Sequence, residues 1–253
     1  MLARQRASAK RLPGGQSAFL APTIRIKRIE PRTRYVCRKE RDVLVPADVP
    51  APAPSTAPTA HEGSAAVAKA ALRRSIAARR SVLPQAVRTA SAAAVADVFG
   101  SWLGAVDLVA VYLSVGTEPD TAALIEALRL RSISMIAPVL RADGDLDWAA
   151  LSDAPAVAGL RGTVEPTGPR LGVDAIANAD VVLVPALAVD ASGHRLGRGG
   201  GSYDRALLRV RSTSRVLAVV HDDEVIDVVP AVTHDRRVDG VVTPSGVRIF
   251  ELH

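Results

Sequence analysis

Residues 195–205 read Arg-Leu-Gly-Arg-Gly-Gly-Gly-Ser-Tyr-Asp-Arg, which places four glycines and three arginines in eleven residues. Glycine accepts positive φ angles and lets peptide N–H groups approach an anion without an intervening Cβ. Residues 179–185 predict a short buried strand before this stretch, and residues 203–211 predict a helix after it. A glycine loop between strand and helix directs free N–H groups and the positive end of the helix dipole at an anion. The stretch therefore predicts a phosphate-binding loop.

A mobile surface turn is the alternative interpretation of any glycine cluster. The arginines at positions 195, 198 and 205 favour the phosphate-binding one, because an idle turn does not need three guanidinium groups. The loop is not the P-loop pattern, which ends in Gly-Lys-Ser/Thr. Nor is it the dinucleotide pattern, whose glycine loop opens the first βα unit of its domain.

From residue 64 onward, helical and strand periodicities alternate. Helices are predicted at 64–82, 85–100 and 120–130, and strands at 107–113, 133–140, 181–185, 216–220 and 238–243, with helices between the later strands. Residues 146–151 predict a short strand or the start of a helix. Buried apolar strands separated by helices predict an α/β fold, a three-layer α/β/α arrangement around a mostly parallel sheet. Ligands of such sheets bind where the strands end, at the carboxyl edge.

The net charge of +6 is unevenly distributed along the 253 residues. Residues 1–45 hold 12 lysines and arginines against 3 acidic residues, whereas the rest of the chain holds 20 against 23. A proline-rich linker at 46–63 follows, so we expect a tail and linker at 1–63 and a folded domain at 64–253. The basic tail is open to three interpretations: binding of nucleic acid or an anionic surface, organelle targeting, or an adventitious extension such as an over-long translation start.

Several function classes find little support. No apolar run approaches the roughly 20 residues of a membrane helix, so a soluble protein is expected. A single cysteine, Cys37, excludes an internal disulfide and a multi-cysteine zinc site. The five histidines have no metal-ligand spacing, and 221–224 (His-Asp-Asp-Glu) predicts a solvated strand end. Trp102 and Trp148 are predicted to pack in or around the core.

The eleven-residue stretch resembles the signature loop of the 5-formyltetrahydrofolate cyclo-ligase (5,10-methenyltetrahydrofolate synthetase) family, whose usual form is RLG-x-G-x-G-Y-Y-D. Further segments resemble the family's motifs in the expected order, between about residues 65 and 245. They are Lys-Ala-Ala-Leu-Arg at 69–73, Tyr-Leu-Ser-Val-Gly-Thr-Glu-Pro-Asp-Thr at 112–121, Arg-Ala-Asp-Gly-Asp-Leu-Asp-Trp at 141–148, Glu-Pro at 165–166 and Thr-His-Asp-Arg-Arg-Val-Asp at 233–239.

The resemblance implies a fold similar to the NagB/RpiA/CoA-transferase-like fold and the ATP-dependent cyclisation of 5-formyltetrahydrofolate to 5,10-methenyltetrahydrofolate, with release of ADP and phosphate. It also implies Mg²⁺ as cofactor, a folate that can be polyglutamylated, a cytoplasmic monomer, and no membrane partner. Nucleic acid is expected, if at all, only at the basic tail. The alternative function is a non-catalytic homologue that binds nucleotide or folate.

The resemblance further implies roles for individual residues. Arg198 and Tyr203 are implied to be catalytic, Leu113 and Glu118 to bind the folate, and Asp204 and Asp235 to hold the metal. ATP is implied to contact Lys69, Arg73, Arg195, Leu196, Gly197, Arg198, Gly199, Gly200, Gly201, Ser202 and Tyr203. Without the resemblance, Lys69 and Arg73 at i, i+4 fit an exposed basic helix face, Asp204 a helix cap, and Glu118 a surface carboxylate.

The loop departs from the usual pattern at two positions. Ser202 stands where the family usually has the first of two aromatic residues, which removes one ring from the site. Gly200 stands where some members have lysine, so positive charge must come from Lys69, Arg73, Arg195 and Arg198. Loss of one aromatic contact weakens a site by about 1–3 kcal/mol and need not abolish binding.

The uneven charge and the proline-rich linker predict that residues 1–63 are dispensable for the chemistry. A chain that begins at Ser64 is expected to keep its turnover rate within about tenfold, equal to ~1.4 kcal/mol of activation free energy. Initial rates of the full-length and shortened chains, compared at equal concentrations of folded protein, test this. A larger loss would place the tail within the active fold.

Overall fold

The structure, a computed structural model, describes residues 60–232 and 235–251. The basic tail and nearly all of the predicted linker lie outside the described residues, and the boundary at residue 64 stays a prediction. Helix α1 spans Ala60–Ser81 and so begins four residues before the predicted start. The other α-helices are α2 (Gln85–Trp102), α3 (Ala122–Leu130) and α4 (Ser202–Ala206).

Eleven strands lie in the described residues, and seven of them form the main sheet. In chain order the strands are β1 (Leu108–Ala110), β2 (Ser134–Leu140), β3 (Leu146–Ala150), β4 (Val157–Ala158), β5 (Val164–Glu165), β6 (Val181–Pro185), β7 (Ala188–Val189), β8 (Arg195–Leu196), β9 (Arg215–Val219), β10 (Gly240–Thr243) and β11 (Gly246–Ile249). The main sheet has the order β11-β10-β9-β6-β1-β2-β3. Its five central strands are parallel, and β3 and β11 are antiparallel edge strands. The predicted mostly parallel sheet is confirmed.

The central strands bury both faces because their side chains alternate between two apolar layers. Val109 and Val111 pack with α2 and α3 on one face, where Val95, Phe99 and Leu124 are buried. Ala110 faces the second layer, which includes Trp148. A 3₁₀ helix at Val173–Asn178 and the short α4 complete that second layer. The three-layer α/β/α arrangement is therefore confirmed, and Trp148 lies in the core as predicted.

Several predicted elements differ from the structure. The helix predicted at 203–211 is a five-residue α4 followed by a 3₁₀ turn at Leu207–Arg209. Between β9 and β10 the described residues contain no α-helix, only a 3₁₀ turn at Asp222–Glu224. The antiparallel strand β11 was not predicted, because Gly246–Ile249 is too short to show a period. None of the described helices has the length and apolar character needed to cross a membrane.

A buried ion pair attaches α1 to the sheet. Nε and Nη2 of Arg80 donate to the two carboxylate oxygens of Glu224 at 2.6 Å each, and Nη2 also donates to the carbonyl of Ala186 at 2.8 Å. Both charged side chains are only 2% exposed. The solvated strand end predicted at 221–224 is correct for Asp222 and Asp223, which are exposed, and wrong for Glu224, which turns inward after β9 to meet a guanidinium from the first helix.

We expect Glu224→Leu to destabilise the fold strongly, because removal of one partner leaves the other charge buried and unpaired. Losses of this kind are about 3–5 kcal/mol, whereas replacement of both partners by apolar residues is often nearly neutral. The double variant Arg80→Met/Glu224→Leu should therefore recover at least half of the lost unfolding free energy, as measured by urea denaturation. Additive losses in the double variant would contradict a coupled buried pair.

Candidate active site

A cavity of about 860 Å³ opens at the carboxyl edge of the parallel strands. The glycine loop after β8, the segment after β1, the inner face of α1 and residues 235–236 all contribute to its lining. Every site residue that the sequence analysis singled out lines this one cavity. The structure therefore brings together segments that lie more than 160 residues apart in the chain, as Lys69 and Asp235 do.

The glycine loop, residues 197–201, approaches the cavity with its backbone. Gly199 has φ +99° and Gly201 has φ +68°, conformations that L side chains rarely adopt. Nε of Arg73 donates to the carbonyl of Gly197 at 2.8 Å, and a Cβ on Gly199 would lie 3.4 Å from the Arg73 guanidinium carbon. Because α4 is only one turn long, its dipole is small. An anion at this loop would therefore be bound by the peptide N–H groups and nearby cations more than by the predicted helix dipole.

Lys69 and Arg73 share the cavity-facing side of α1. Nζ of Lys69 lies 2.5 Å from Oδ2 of Asp235, and the two side chains are only 12% and 15% exposed. The alternative of an exposed basic face is therefore wrong for this pair. That alternative is correct for Arg74, which is exposed on the same helix and does not line the cavity.

Asp204 is held by groups from two segments. Its Oδ1 accepts hydrogen bonds from Nη2 of Arg195 at 2.9 Å and from the backbone N–H of Arg236 at 3.1 Å. Arg195, whose side chain is 4% exposed, also donates to the carbonyl of Arg236 at 2.7 Å. Asp204 thus fastens the start of α4 to Arg236, and the helix-cap alternative is wrong, because the N-cap position of α4 is Gly201.

The two aspartates fit a nucleotide-bound Mg²⁺ better than a metal site made by protein alone. Among the described residues no cluster of three or more His, Cys, Asp or Glu side chains is arranged for a metal ion. Asp204 and Asp235 nevertheless line the same cavity. One or two carboxylates completed by substrate phosphates and water is the usual coordination of Mg²⁺ in nucleotide sites.

Glu118 is a buried carboxylate in the middle of the site. Its side chain is 9% exposed, its Oε1 lies 3.2 Å from Nε of Arg198, and its Oε2 accepts a hydrogen bond from the backbone N–H of Val115 at 2.9 Å. Burial raises the pKa of this carboxyl, while the Val115 hydrogen bond and the Arg198 charge oppose the shift. The surface-carboxylate alternative is wrong. A buried acceptor of this kind suits a ligand that presents N–H donors.

Tyr112, which is buried, and Tyr203, which is half-buried, both lie close enough to Glu118 to feel its charge. The Tyr112 hydroxyl donates to the carbonyl of Pro119 at 3.2 Å. The Tyr203 hydroxyl is buried and makes no hydrogen bond with any described residue, although it lines the cavity. Burial, and next the nearby charge of Glu118, raises the pKa of both phenols, so both stay protonated. Tyr203 therefore offers a neutral O–H donor to a bound ligand.

Sequence reasoning missed part of the lining. The hairpin of β4 and β5 contributes Arg161, Thr163 and Val164, and the strand ends of β2 and β3 contribute Pro138, Leu140 and Leu146. The only signal near the hairpin was Glu-Pro at 165–166, which marks its second strand and not its tip. Arg236 also lines the cavity, as does Arg205, one of the three loop arginines that the sequence analysis had named. Apolar positions at strand ends carry no pattern that separates a ligand wall from the core.

The family model of 5-formyltetrahydrofolate cyclo-ligases matches residues 65–244. The chain belongs to the 5-formyltetrahydrofolate cyclo-ligase family. A 5-formyltetrahydrofolate cyclo-ligase of Mycolicibacterium smegmatis is 40% identical over 186 residues, covering 70% of this chain and 94% of that protein. The Escherichia coli K12 enzyme of the same name is 32% identical over 143 residues, covering 55% and 79%.

Solved structures agree with this family assignment. The NMR structure of Aquifex aeolicus 5,10-methenyltetrahydrofolate synthetase matches with a TM-score of 0.60 at 27% identity, and covers 73% of this chain and 94% of its own. A synthetase from Mycoplasma pneumoniae has the same fold, with a TM-score of 0.56 at 18% identity and coverage of 70% and 98%. The resemblance inferred from the loop motifs is confirmed.

Substitution of Glu118 is expected to separate activity from stability. Glu118→Gln should lower kcat/KM for the folate about 100-fold, the effect of losing a charge-assisted hydrogen bond. The same change should raise thermal stability, because Gln need not ionise in a buried position. The pKa of Glu118 is higher in the folded protein than in the unfolded chain. At pH values between these two, the folded protein binds more protons than the unfolded chain, so the free energy of unfolding of the wild type falls as the pH rises through this range.

The gain in Tm of Glu118→Gln over wild type should therefore be larger at about pH 8 than at about pH 5. Differential scanning calorimetry at both pH values gives the comparison. Glu126→Gln, on the exposed side of α3, is the matched control and should change neither kcat/KM nor Tm appreciably. A Tm gain that does not grow with pH would show that Glu118 is not destabilised by ionisation.

Proposed function

We propose that this chain catalyses the ATP-dependent cyclisation of 5-formyltetrahydrofolate to 5,10-methenyltetrahydrofolate. The observation that carries the proposal is the contact between Arg198 and Glu118. It joins a phosphate-binding glycine loop to a buried carboxylate suited to a pterin, within one cavity. A nucleotide held by the first and a folate held by the second would be adjacent, as a transfer between them requires.

The nucleotide phosphates would lie along the glycine loop, against Lys69 and Arg73. Both cations are already held in place, Lys69 by Asp235 and Arg73 by the carbonyl of Gly197. Side chains that are ordered before the ligand arrives lose less entropy when it binds. Peptide N–H groups at Gly199 to Gly201 would add donors that only a glycine backbone can bring this close.

The chemistry that these residues would support has two steps. The formyl oxygen of the substrate attacks the γ-phosphorus of ATP and ADP leaves, which converts a poor leaving group into a phosphate ester. N10 then attacks the activated formyl carbon, inorganic phosphate departs, and N10 loses its proton. The side chain of Arg198 reaches from the loop to Glu118, where its charge would stabilise the negative charge that develops during transfer. The neutral Tyr203 hydroxyl would donate to an oxygen of the reacting group.

Mg²⁺ would be held by Asp204, by Asp235 and by the nucleotide, and when bound would neutralise phosphate charge near the nucleophilic oxygen. Lys69 and Arg195 keep these two carboxylates oriented toward the cavity. The expected monomeric state, the cytoplasmic location and the acceptance of polyglutamylated folate remain predictions.

Formation of methenyltetrahydrofolate, followed by absorbance with and without ATP, tests the reaction directly. ATP-dependent product formation is the expected result. Binding of both ligands without turnover would favour a non-catalytic homologue in which the departure at Ser202 has removed activity.

Lys69→Ala and Arg73→Ala should each raise the KM for ATP by about tenfold, equal to ~1.4 kcal/mol of lost binding free energy. The KM for 5-formyltetrahydrofolate should change little, because neither cation contacts Glu118 or its neighbours in the structure. Arg74→Ala removes an exposed cation from the same helix and is the control for general charge effects. ATP kinetics at fixed ionic strength provide the measurement, and unchanged ATP affinity in both variants would refute the phosphate-binding role.

A further inference from the structure

The cations that line the cavity differ in whether the protein itself neutralises or holds them. Lys69, Arg195 and Arg198 each pair with a carboxylate, and Arg73 and Arg205 donate to backbone carbonyls. Among the described residues, the side chains of Arg161 and Arg236 line the cavity without an ion pair or hydrogen bond. Arg236 adjoins Asp235 and Asp204 at the nucleotide end. Arg161 belongs to the β4–β5 hairpin and has no role in the proposed reaction.

The hairpin that carries Arg161 is fastened to the sheet. Oε1 of the buried Glu165 accepts hydrogen bonds from the backbone N–H of Leu140 at 3.0 Å and from Oγ1 of Thr163 at 3.2 Å. These bonds fix the hairpin beside the carboxyl end of β2. In the sheet order, β2 lies on the opposite side of β1 from β6, the last strand of the main sheet before the glycine loop. The hairpin and the loop therefore approach Glu118 from different sides.

Arg161 occupies a backbone conformation that favours glycine. Its φ is +52°, and Gly162 after it has φ +74°. A non-glycine residue in this region is strained, and such strain is found preferentially at functional sites. Arginine gains nothing from the conformation itself, since its side chain does not hydrogen-bond the local backbone as Asn or Asp can.

Apolar side chains line the same cavity as Arg161. Val164, three residues after Arg161, and Leu208 are substantially exposed to solvent, at 36% and 58%, and Pro138 and Leu140 are half-buried. Exposed apolar side chains at the mouth of a ligand cavity gain stability when an apolar ligand surface covers them. A cavity that offers both apolar surface and an unpaired cation fits an aromatic ring followed by a carboxylate.

We propose that Arg161 is a specificity-determining residue that binds the glutamate carboxylates of 5-formyltetrahydrofolate. This inference rests on the proposed function, because Glu118 must hold the pterin for the p-aminobenzoyl ring to reach Val164 and Leu208. The substrate pair carries two anionic regions, the triphosphate and the glutamate, and the cavity provides cations on both sides of Glu118. A polyglutamate tail, which keeps one carboxylate on every residue, would extend past the hairpin toward solvent.

The test combines two variants with substrates that differ in their tails. Arg161→Asn removes the charge and tolerates the left-handed backbone, so the fold should be unaffected, whereas Arg161→Lys retains the charge. For 5-formyltetrahydrofolate, Arg161→Asn should raise KM about fivefold, the upper range for a solvent-accessible ion pair, and Arg161→Lys should raise it less. With the diamide of 5-formyltetrahydrofolate, in which neutral carboxamides replace both glutamate carboxylates, the variants and the wild type should have equal KM values. The KM for ATP should stay within twofold.

Arg141→Ala is the matched control, because Arg141 follows β2 in the same region and is exposed but does not line the cavity. Three results would overturn the inference: an increase in the KM for ATP, an equal loss with the uncharged diamide substrate, or no change with any substrate. Absence of turnover in the unsubstituted protein would instead refute the proposed reaction. Calorimetric titration of 5-formyltetrahydrofolate into wild type and Arg161→Asn would then still decide whether Arg161 binds the tail.

Discussion

The buried ion pair between Arg80 and Glu224 fixes the first helix across the edge of the sheet where the parallel strands end. The positions of Lys69 and Arg73 follow from that attachment. Residues 69, 73, 76 and 80 recur at helical spacing, so they lie on one side of α1. Ile76 is fully buried between the charged positions and packs against the β7–β8 hairpin. Displacement of α1 would therefore remove from the cavity both of the cations that we propose to bind phosphate.

Lys69, Arg195 and Arg198 are each held by one of the protein's own carboxylates. An unpaired charge in a partly desolvated cavity is costly, so pairing Lys69 with Asp235 and Arg195 with Asp204 stabilises the empty protein. The same pairs fix the side-chain orientations that an anionic nucleotide requires. The end of the cavity proposed to hold the nucleotide is thus prearranged. Arg161 at the hairpin has no ionic partner among the residues that the structure describes, so its ionic partner would be a carboxylate of the ligand.

Local sequence signals predicted the elements in which apolar residues recur over many positions, and those that carry a strong motif. The boundaries predicted for α2 from its apolar residues, and for the valine-rich β6, agree with the structure to within two residues. The glycine loop indicated where the cavity lies. The same signals could not distinguish Arg79, which is exposed, from Arg80, which is buried, because adjacent arginines on an alanine-rich helix look alike. Burial of Glu224 and the position of Arg161 depend on contacts between segments distant in sequence, which periodicity does not report.

Two polar groups in the cavity are poorly satisfied without a ligand. The Tyr203 hydroxyl is buried without a hydrogen bond to any described residue, and the Glu118 carboxyl resists ionisation in its buried position. Both features lower the stability of the empty protein, since a buried donor without an acceptor loses its hydration and gains nothing in exchange. A ligand that accepts from Tyr203 and donates to Glu118 recovers both losses. Ligand binding and folding are then linked, and the site should be the part of the domain that a bound folate stabilises most.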